Sequence, residues 1–290
     1  MSKAFLISLF AFFVLLIVIV FLKNRSSQNP AENDTGAKTI AEKERISRFW
    51  EIYREAANYR LAGKAKEAAE GYRNALVLND KHEDALYYLG NVCVELGEYK
   101  TAEESWRRLA QVNPHSARAH LQLGNLYLSF EQKEFFNLNR AEEEFQKALQ
   151  INQEETGPVL RLGHIALLRG DLPKAQHYFD AVITTNFKSV EAHFLNGYIA
   201  WKTGVVSKAE KLFSEAIKFS QADKPVKGVL SEGDTKTGRA QTLPETSKRQ
   251  TLFQPYFVDL AELDEKSVAQ QMQARYQKLD AFLEQIRKNR

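Results

Sequence analysis

"DALYYLGNVCVELGEYKTAEESWRRLAQVNP", Asp84 to Pro114, carries the pattern on which the fold turns. A Leu-Gly pair, Leu89 and Gly90, is followed by the small residue Ala102 and then, four positions on, by Trp106. Apolar residues around these markers recur at threes and fours, the spacing of one helix face. Working outward, the same markers return. Small residues Ala56, Gly90, Gly124, Gly163 and Gly197 fall in register at spacings of 34, 34, 39 and 34. Ala68, Ala102, Ala141, Ala175 and Ala209 form a second series, and Tyr72, Trp106, Phe145, Phe179 and Phe213 follow each at the fourth position. Such self-similarity at a fixed period is the mark of a stacked repeat.

The pattern resembles the tetratricopeptide repeat (TPR) family, whose unit carries W-x2-L-G-x2-Y, then A-x3-F, then P. Five units in phase cover Phe49 to Phe219. Each is expected to be two antiparallel helices, neither of which buries its apolar face alone, so that stacking builds one core and a superhelix with a concave face. The fold class expected is therefore all-α, a TPR superhelix. Cys93, the one cysteine, excludes an internal disulfide framework and reads as a core thiol. The closing proline appears at Pro114 alone, and the first unit has Glu55-Ala56 where Leu-Gly is usual. The third unit holds five extra residues within "FEQKEFFNLNR", Phe130 to Arg140, which lengthen the turn between its helices. Phe135 and Phe136 there read either as a partner contact or as added packing.

In the family the first helix of each unit lines the concave face, and ligands are extended peptides or helices. Carried over position by position, one row holds Tyr53, Tyr87, Leu121, Leu160 and Phe194. A second holds Ala57, Asn91, Asn125, His164 and Tyr198, with Trp201 beside the last. Asn91 and Asn125 match asparagines that hold a bound peptide's backbone in family members, a task suited to an amide that both donates and accepts. The lysines with which some members clamp a carboxylate are replaced by Tyr53, Tyr87 and Leu121, so the groove is expected to take an apolar or helical ligand anchored by rings. The competing reading packs these residues on one another or on the chain's own tail.

At the N-terminus, "AFLISLFAFFVLLIVIVFL", Ala4 to Leu22, has one serine and no charge. A helix of that length spans roughly 28 Å, close to a hydrocarbon core. It reads as an uncleaved membrane anchor, since the run is long for a signal peptide and no small-residue cleavage site follows. Basic residues flank both ends, Lys3 on one side and Lys23, Arg25, Lys38 and Lys43 on the other. The count tilts toward a cytoplasmic body but leaves the side of the membrane open. The organisation expected is an anchor at 1–23, a flexible tether at 24–38 and a TPR domain at 39–219. Its repeats fall at about 49–82, 83–116, 117–155, 156–189 and 190–219, and a linker at 220–250 leads to a tail at 251–290.

That tail begins with the apolar "TLFQPYFVDLAEL". It continues into an amphipathic helix whose stripe is Val268, Met272, Tyr276, Leu279, Leu283 and Ile286, opened by the capping pair Ser267 and Gln270. Three uses suit it: capping the last repeat, pairing with a second copy, or binding a groove, its own included.

No feature calls for an enzyme. The segment "GVLSEGDTKTG", Gly228 to Gly238, has the frame of a phosphate-binding loop, but Asp234 stands where the lysine belongs, and a helical repeat rather than a strand precedes it. The six histidines form no i, i+4 pair, so no metal or other cofactor is expected. A net charge of +3 gives no nucleic-acid footprint. The acidic runs "AEE" and "AEEE" read as solvated outer faces of second helices. The functional expectation is a membrane-anchored scaffold that binds a protein or peptide, not a small-molecule substrate, in assembly of a membrane-associated complex. Its alternatives are a nucleotide-dependent regulator using 228–238 and a soluble binder freed by signal cleavage.

Overall fold

The computed structural model describes residues 30–222, 252–263 and 268–288, with side chains from residue 39 onward. Every regular element among them is helical. The long helix α1 (Pro30–Leu61) pairs with α2 (Ala65–Leu78). Four further hairpins follow: α3 (Glu83–Glu95) with α4 (Tyr99–Val112), α5 (Ala117–Leu128) with α6 (Leu138–Ile151), α7 (Thr156–Arg169) with α8 (Leu172–Thr185), and α9 (Val190–Lys202) with α10 (Val206–Ala222). After short 3-10 turns at Gln254–Tyr256 and Leu260–Glu262, the tail helix α11 spans Val268–Lys288. Each hairpin packs on the next, which is the nearest-neighbour logic of a solenoid.

The register markers are the contacts between paired helices. Trp106, Phe145, Phe179 and Phe213 are completely buried, as are all five alanines of the second series. A Cβ on Gly90 would sit 2.3 Å from Nε1 of Trp106, and one on Gly163 2.5 Å from the Phe179 ring. The absent side chain is thus the space the aromatic fills. The first repeat solves the same problem from the opposite helix: Ala56 occupies the glycine position, and Gly71 on α2 gives it room, since a Cβ there would lie 2.7 Å from that of Ala56. Gly63, Gly97, Gly170 and Gly204 turn the chain between paired helices at positive φ, where other residues are strained. The third repeat has no such glycine and turns through its insertion.

Several expectations are corrected. The anchor at Ala4–Leu22 lies outside the described residues, and among the described residues no helix is long and apolar enough to cross a membrane. The transmembrane helix of the expected fold class, the anchored location and membrane association through an N-terminal helix are therefore not supported by the described residues. The two helices of sufficient length, at Pro30–Leu61 and Val268–Lys288, are both studded with charge. Helix α1 also begins at Pro30, so that much of the stretch read as a tether is helical; proline is at home in a first turn. Phe135 is only 8% exposed and lies against Tyr99, while Phe136 packs edge-on to Phe130 at 5.4 Å. Phe135 is thus part of the core and Phe136 packs partly buried against it. Nor are the acidic runs simply solvated. The Glu103 carboxylate, 19% exposed, accepts hydrogen bonds from Tyr127 and Arg140 of the next repeat at 2.6 Å each. Glu142 likewise meets Arg169 and Lys174 across the following junction. Cys93 is the core thiol expected, its pKa pushed up to about 12 by burial.

Candidate partner-binding groove

The two rows lie along α1, α3, α5, α7 and α9, and the structure divides them. In repeats 1 to 3 they stay accessible: Tyr53, Tyr87, Asn91, Leu121 and Asn125 are all partly exposed. At the N-terminal end Phe49, Trp50 and Tyr53 surround the His82 ring at 4.7, 5.4 and 5.0 Å. The Arg118 guanidinium covers Tyr87 at 4.8 Å, and the Tyr87 hydroxyl accepts from Gln122. These contacts fix the rings yet leave Tyr53 and Tyr87 partly exposed. Trp50, at the outer end, remains 46% exposed.

In repeats 4 and 5 the rows are filled by the tail. His164, Phe194 and Tyr198 are fully buried, with Leu160 and Trp201 partly so. Tyr276 of α11 enters where Gly197 leaves space, its hydroxyl 2.3 Å from the point a Cβ would occupy. That hydroxyl donates to the Phe194 carbonyl at 3.1 Å. The ring meets Phe194, Phe213, Tyr198 and Trp201 at centroid distances of 5.2 to 5.9 Å. One turn on, the Asp280 carboxylate accepts from the Tyr198 hydroxyl at 2.6 Å and from Lys202 Nζ at 2.7 Å. Burial opposes ionisation of Asp280, yet these bonds outweigh it and hold the carboxyl below its usual range. Trp201 Nε1 donates to Gln273 at 2.7 Å. Further along, Arg287 donates to the Leu167 carbonyl at the end of α7. The leading segment adds Phe253, edge-on to His164 at 4.8 Å, and Phe257 against Phe194. The apolar stripe read from the sequence is therefore buried on the chain's own repeats, with Met272, Tyr276, Leu279, Leu283 and Ile286 all in the core.

His164 is the floor of this contact. Its Nδ1 lies 3.2 Å from Arg161, and because a guanidinium only donates, Nδ1 accepts and the proton belongs on Nε2, which faces Glu191 at 3.2 Å. Burial keeps its pKa below the ordinary histidine value, with Glu191 opposing and Arg161 adding to the effect. The folded state thus favours the neutral ring. The stability this confers is complete above the unfolded pKa of about 6.5 and is lost as pH falls below it. The chain is expected to melt at lower temperature near pH 5.5 than near pH 7.5, with His164→Gln shrinking the difference. An unchanged difference in that variant would place the sensitivity elsewhere; Asp280 titrates in a lower window.

Between the open and filled halves lies a cavity of about 500 Å³. Asn125, Leu128, Phe130 and Arg161 line it from the repeats, and Tyr256 and Phe282 from the tail. Sequence reasoning missed Arg161, Lys202 and Asp280, which sit beside the rows or on the polar face of α11. Their charges gain meaning only once the tail is seated. The segment 228–238 lies outside the described residues. Among the described residues no group of His, Cys, Asp or Glu side chains is placed to hold a metal ion.

Helical hairpins stacked in register around a concave face define the class, and the chain carries tetratricopeptide repeats. The family described as tetratricopeptide repeat matches residues 53–106 and 160–224, and a second, TPR repeat, matches 90–129. The chain is similar to the BBSome complex member BBS4 of Mus musculus, 29% identical over 140 residues, which cover 48% of this chain and 26% of that protein. Similarity to BBS4 of Bos taurus is 24% over 182 residues, covering 63% and 34%. The chain thus spans about a quarter to a third of the length of these curated relatives. Among solved structures, MamA protein shares the fold at a TM-score of 0.53 and 20% identity, covering 65% of this chain and 98% of MamA. The repeats make the chain a scaffold suited to protein–protein interaction, and nothing points to catalysis.

Proposed function

We propose that the chain is a binding subunit of a multiprotein assembly, taking a peptide or helical segment of a partner in the aromatic half-groove of repeats 1 to 3. One observation carries this reading: in repeats 4 and 5 the same two rows already hold an amphipathic helix, with a tyrosine at the vacant glycine position and a carboxylate on flanking donors. The open half continues those rows with Tyr53, Tyr87 and Leu121 beside Asn91 and Asn125. The Asn91 Oδ1 atom is buried without a hydrogen-bond partner among the described residues. The similarity to a protein named as a complex member supports the assembly role.

The test compares what co-purifies with the intact chain, with a Tyr87→Ala/Asn125→Ala variant and with a Lys100→Ala control on the exposed surface. Proteins bound through the groove are expected to fall about tenfold with the double variant, since central aromatic and amide contacts dominate such interfaces. The control should leave them unchanged. Equal recovery across all three would contradict a groove site.

A further inference from the structure

Resting on that reading, we infer that the tail builds part of a ligand site rather than only occupying the groove. The composite cavity between repeats 2 to 4 and the tail takes a partner segment in which a large apolar or aromatic residue stands beside a carboxylate.

The seated tail supplies the recognition rule. Tyr276 fills an apolar space and Asp280, one helical turn later, meets a hydroxyl and an ammonium at 2.6 and 2.7 Å. The cavity next to it presents the same two elements. Its apolar walls come from both parts of the chain: Phe130 faces Phe282 edge-on at 6.2 Å, and Phe282 packs on Tyr256 at 5.7 Å. Its cation is Arg161. The partner of that guanidinium is the neutral His164 ring, and among the described residues it pairs with no carboxylate. The contrast with its neighbours is informative, because Arg140, Arg169 and Arg275 each meet an acid. Glu131, the cavity's own carboxylate, stands exposed on the turn after α5. A half-buried guanidinium has several donors in a fixed fork, and a carboxylate answers it with charge and two acceptors at once. The Asn125 amide beside it can hold the segment's backbone. Cavity size fits this occupant, since sites of about 300–1,000 Å³ bury a ligand of a few side chains.

The probe is a fluorescein-labelled octapeptide alternating phenylalanine and glutamate, titrated into the full chain by fluorescence anisotropy. Matched peptides replace glutamate with glutamine or phenylalanine with alanine. The phenylalanine–glutamate peptide should bind about tenfold tighter than either control, the worth of a charge-assisted pair or of one buried ring. Arg161→Gln should erase the preference for glutamate over glutamine, and Arg161→Lys should restore part of it. Phe282→Ala should weaken binding, because it removes a wall. Equal affinity for the glutamate and glutamine peptides, unmoved by Arg161→Gln, overturns the acid anchor. Tighter binding by Phe282→Ala overturns the composite site and makes the tail a competitor. In either case a loss of peptide binding in Tyr87→Ala leaves the groove reading standing. Absence of binding by every peptide counts against both.

Discussion

Tyr276→Ala is expected to free the tail from the groove while the five repeats stay folded. The side chain is completely buried among four aromatic rings, and its hydroxyl donates to a main-chain carbonyl in α9. Truncating a buried aromatic of this kind costs about 3–5 kcal/mol, since the cavity is added to the lost transfer energy. Tyr276→Phe keeps the ring and forfeits the hydrogen bond alone, for about 1 kcal/mol. Six other tail side chains, Phe253, Leu260, Met272, Leu279, Leu283 and Ile286, are buried with it, but the ordering of two helical turns and a helix offsets much of their contribution. The alanine variant should therefore lose docking and the phenylalanine variant keep it. Trypsin reads the difference directly, because Arg275 and Lys278 lie within α11. Early cleavage at those residues is expected in Tyr276→Ala but not in Tyr276→Phe or the parent chain. Equal resistance in all three would show that Tyr276 does not hold the tail.

Trp106→Ala should have an effect of similar size within the repeats themselves. The indole fills the space left by Gly90, and its Nε1 donates to the Tyr87 carbonyl at 3.3 Å. About 3–5 kcal/mol is again at stake, a large share of the 5–15 kcal/mol that holds a domain folded. Stability in a solenoid is a sum over repeats and their junctions, so weakening the second unit should split urea unfolding into two steps rather than only shift it. Gly90→Ala attacks the same contact from the other helix. Its Cβ would lie 2.3 Å from the indole nitrogen, and the resulting overpacking should cost about 1–3 kcal/mol. Unfolding midpoints unchanged by either substitution would remove this glycine–aromatic contact as the basis of the stack.

The repeats were legible because the small residue, alanine and aromatic of each unit recur in register, and in repeats 1 to 4 the small residue marks a contact made within about twenty residues of chain. The tail's stripe was legible for the same reason: Met272 to Ile286 follows helical spacing whatever it packs against. Where that helix lands was not. Phe194 and Tyr276 are joined by geometry alone, and no spacing connects residues 82 apart. Periodicity also hides compensation. Ala56 looks like a defect in the first repeat until Gly71 is seen across from it. The acids of α4 and α6 were misjudged because the outer face of one helix is also the seam with the next repeat, where Arg140 and Arg169 wait. At the groove, residue identity said nothing of accessibility: His164, Phe194 and Tyr198 are buried under the tail, while Tyr87 and Asn125 stay partly exposed.

Hydrogen exchange of the intact chain, followed by mass spectrometry, tests most directly whether the groove is split in this way. If the tail fills repeats 4 and 5, amides of residues 268–288 will exchange slowly in the parent chain. In Tyr276→Ala they will exchange quickly, α9 at 190–202 will lose protection with them, and α3 and α5 will be unaffected. Rapid exchange across 268–288 in the parent chain, with α9 indifferent to the substitution, would contradict the account.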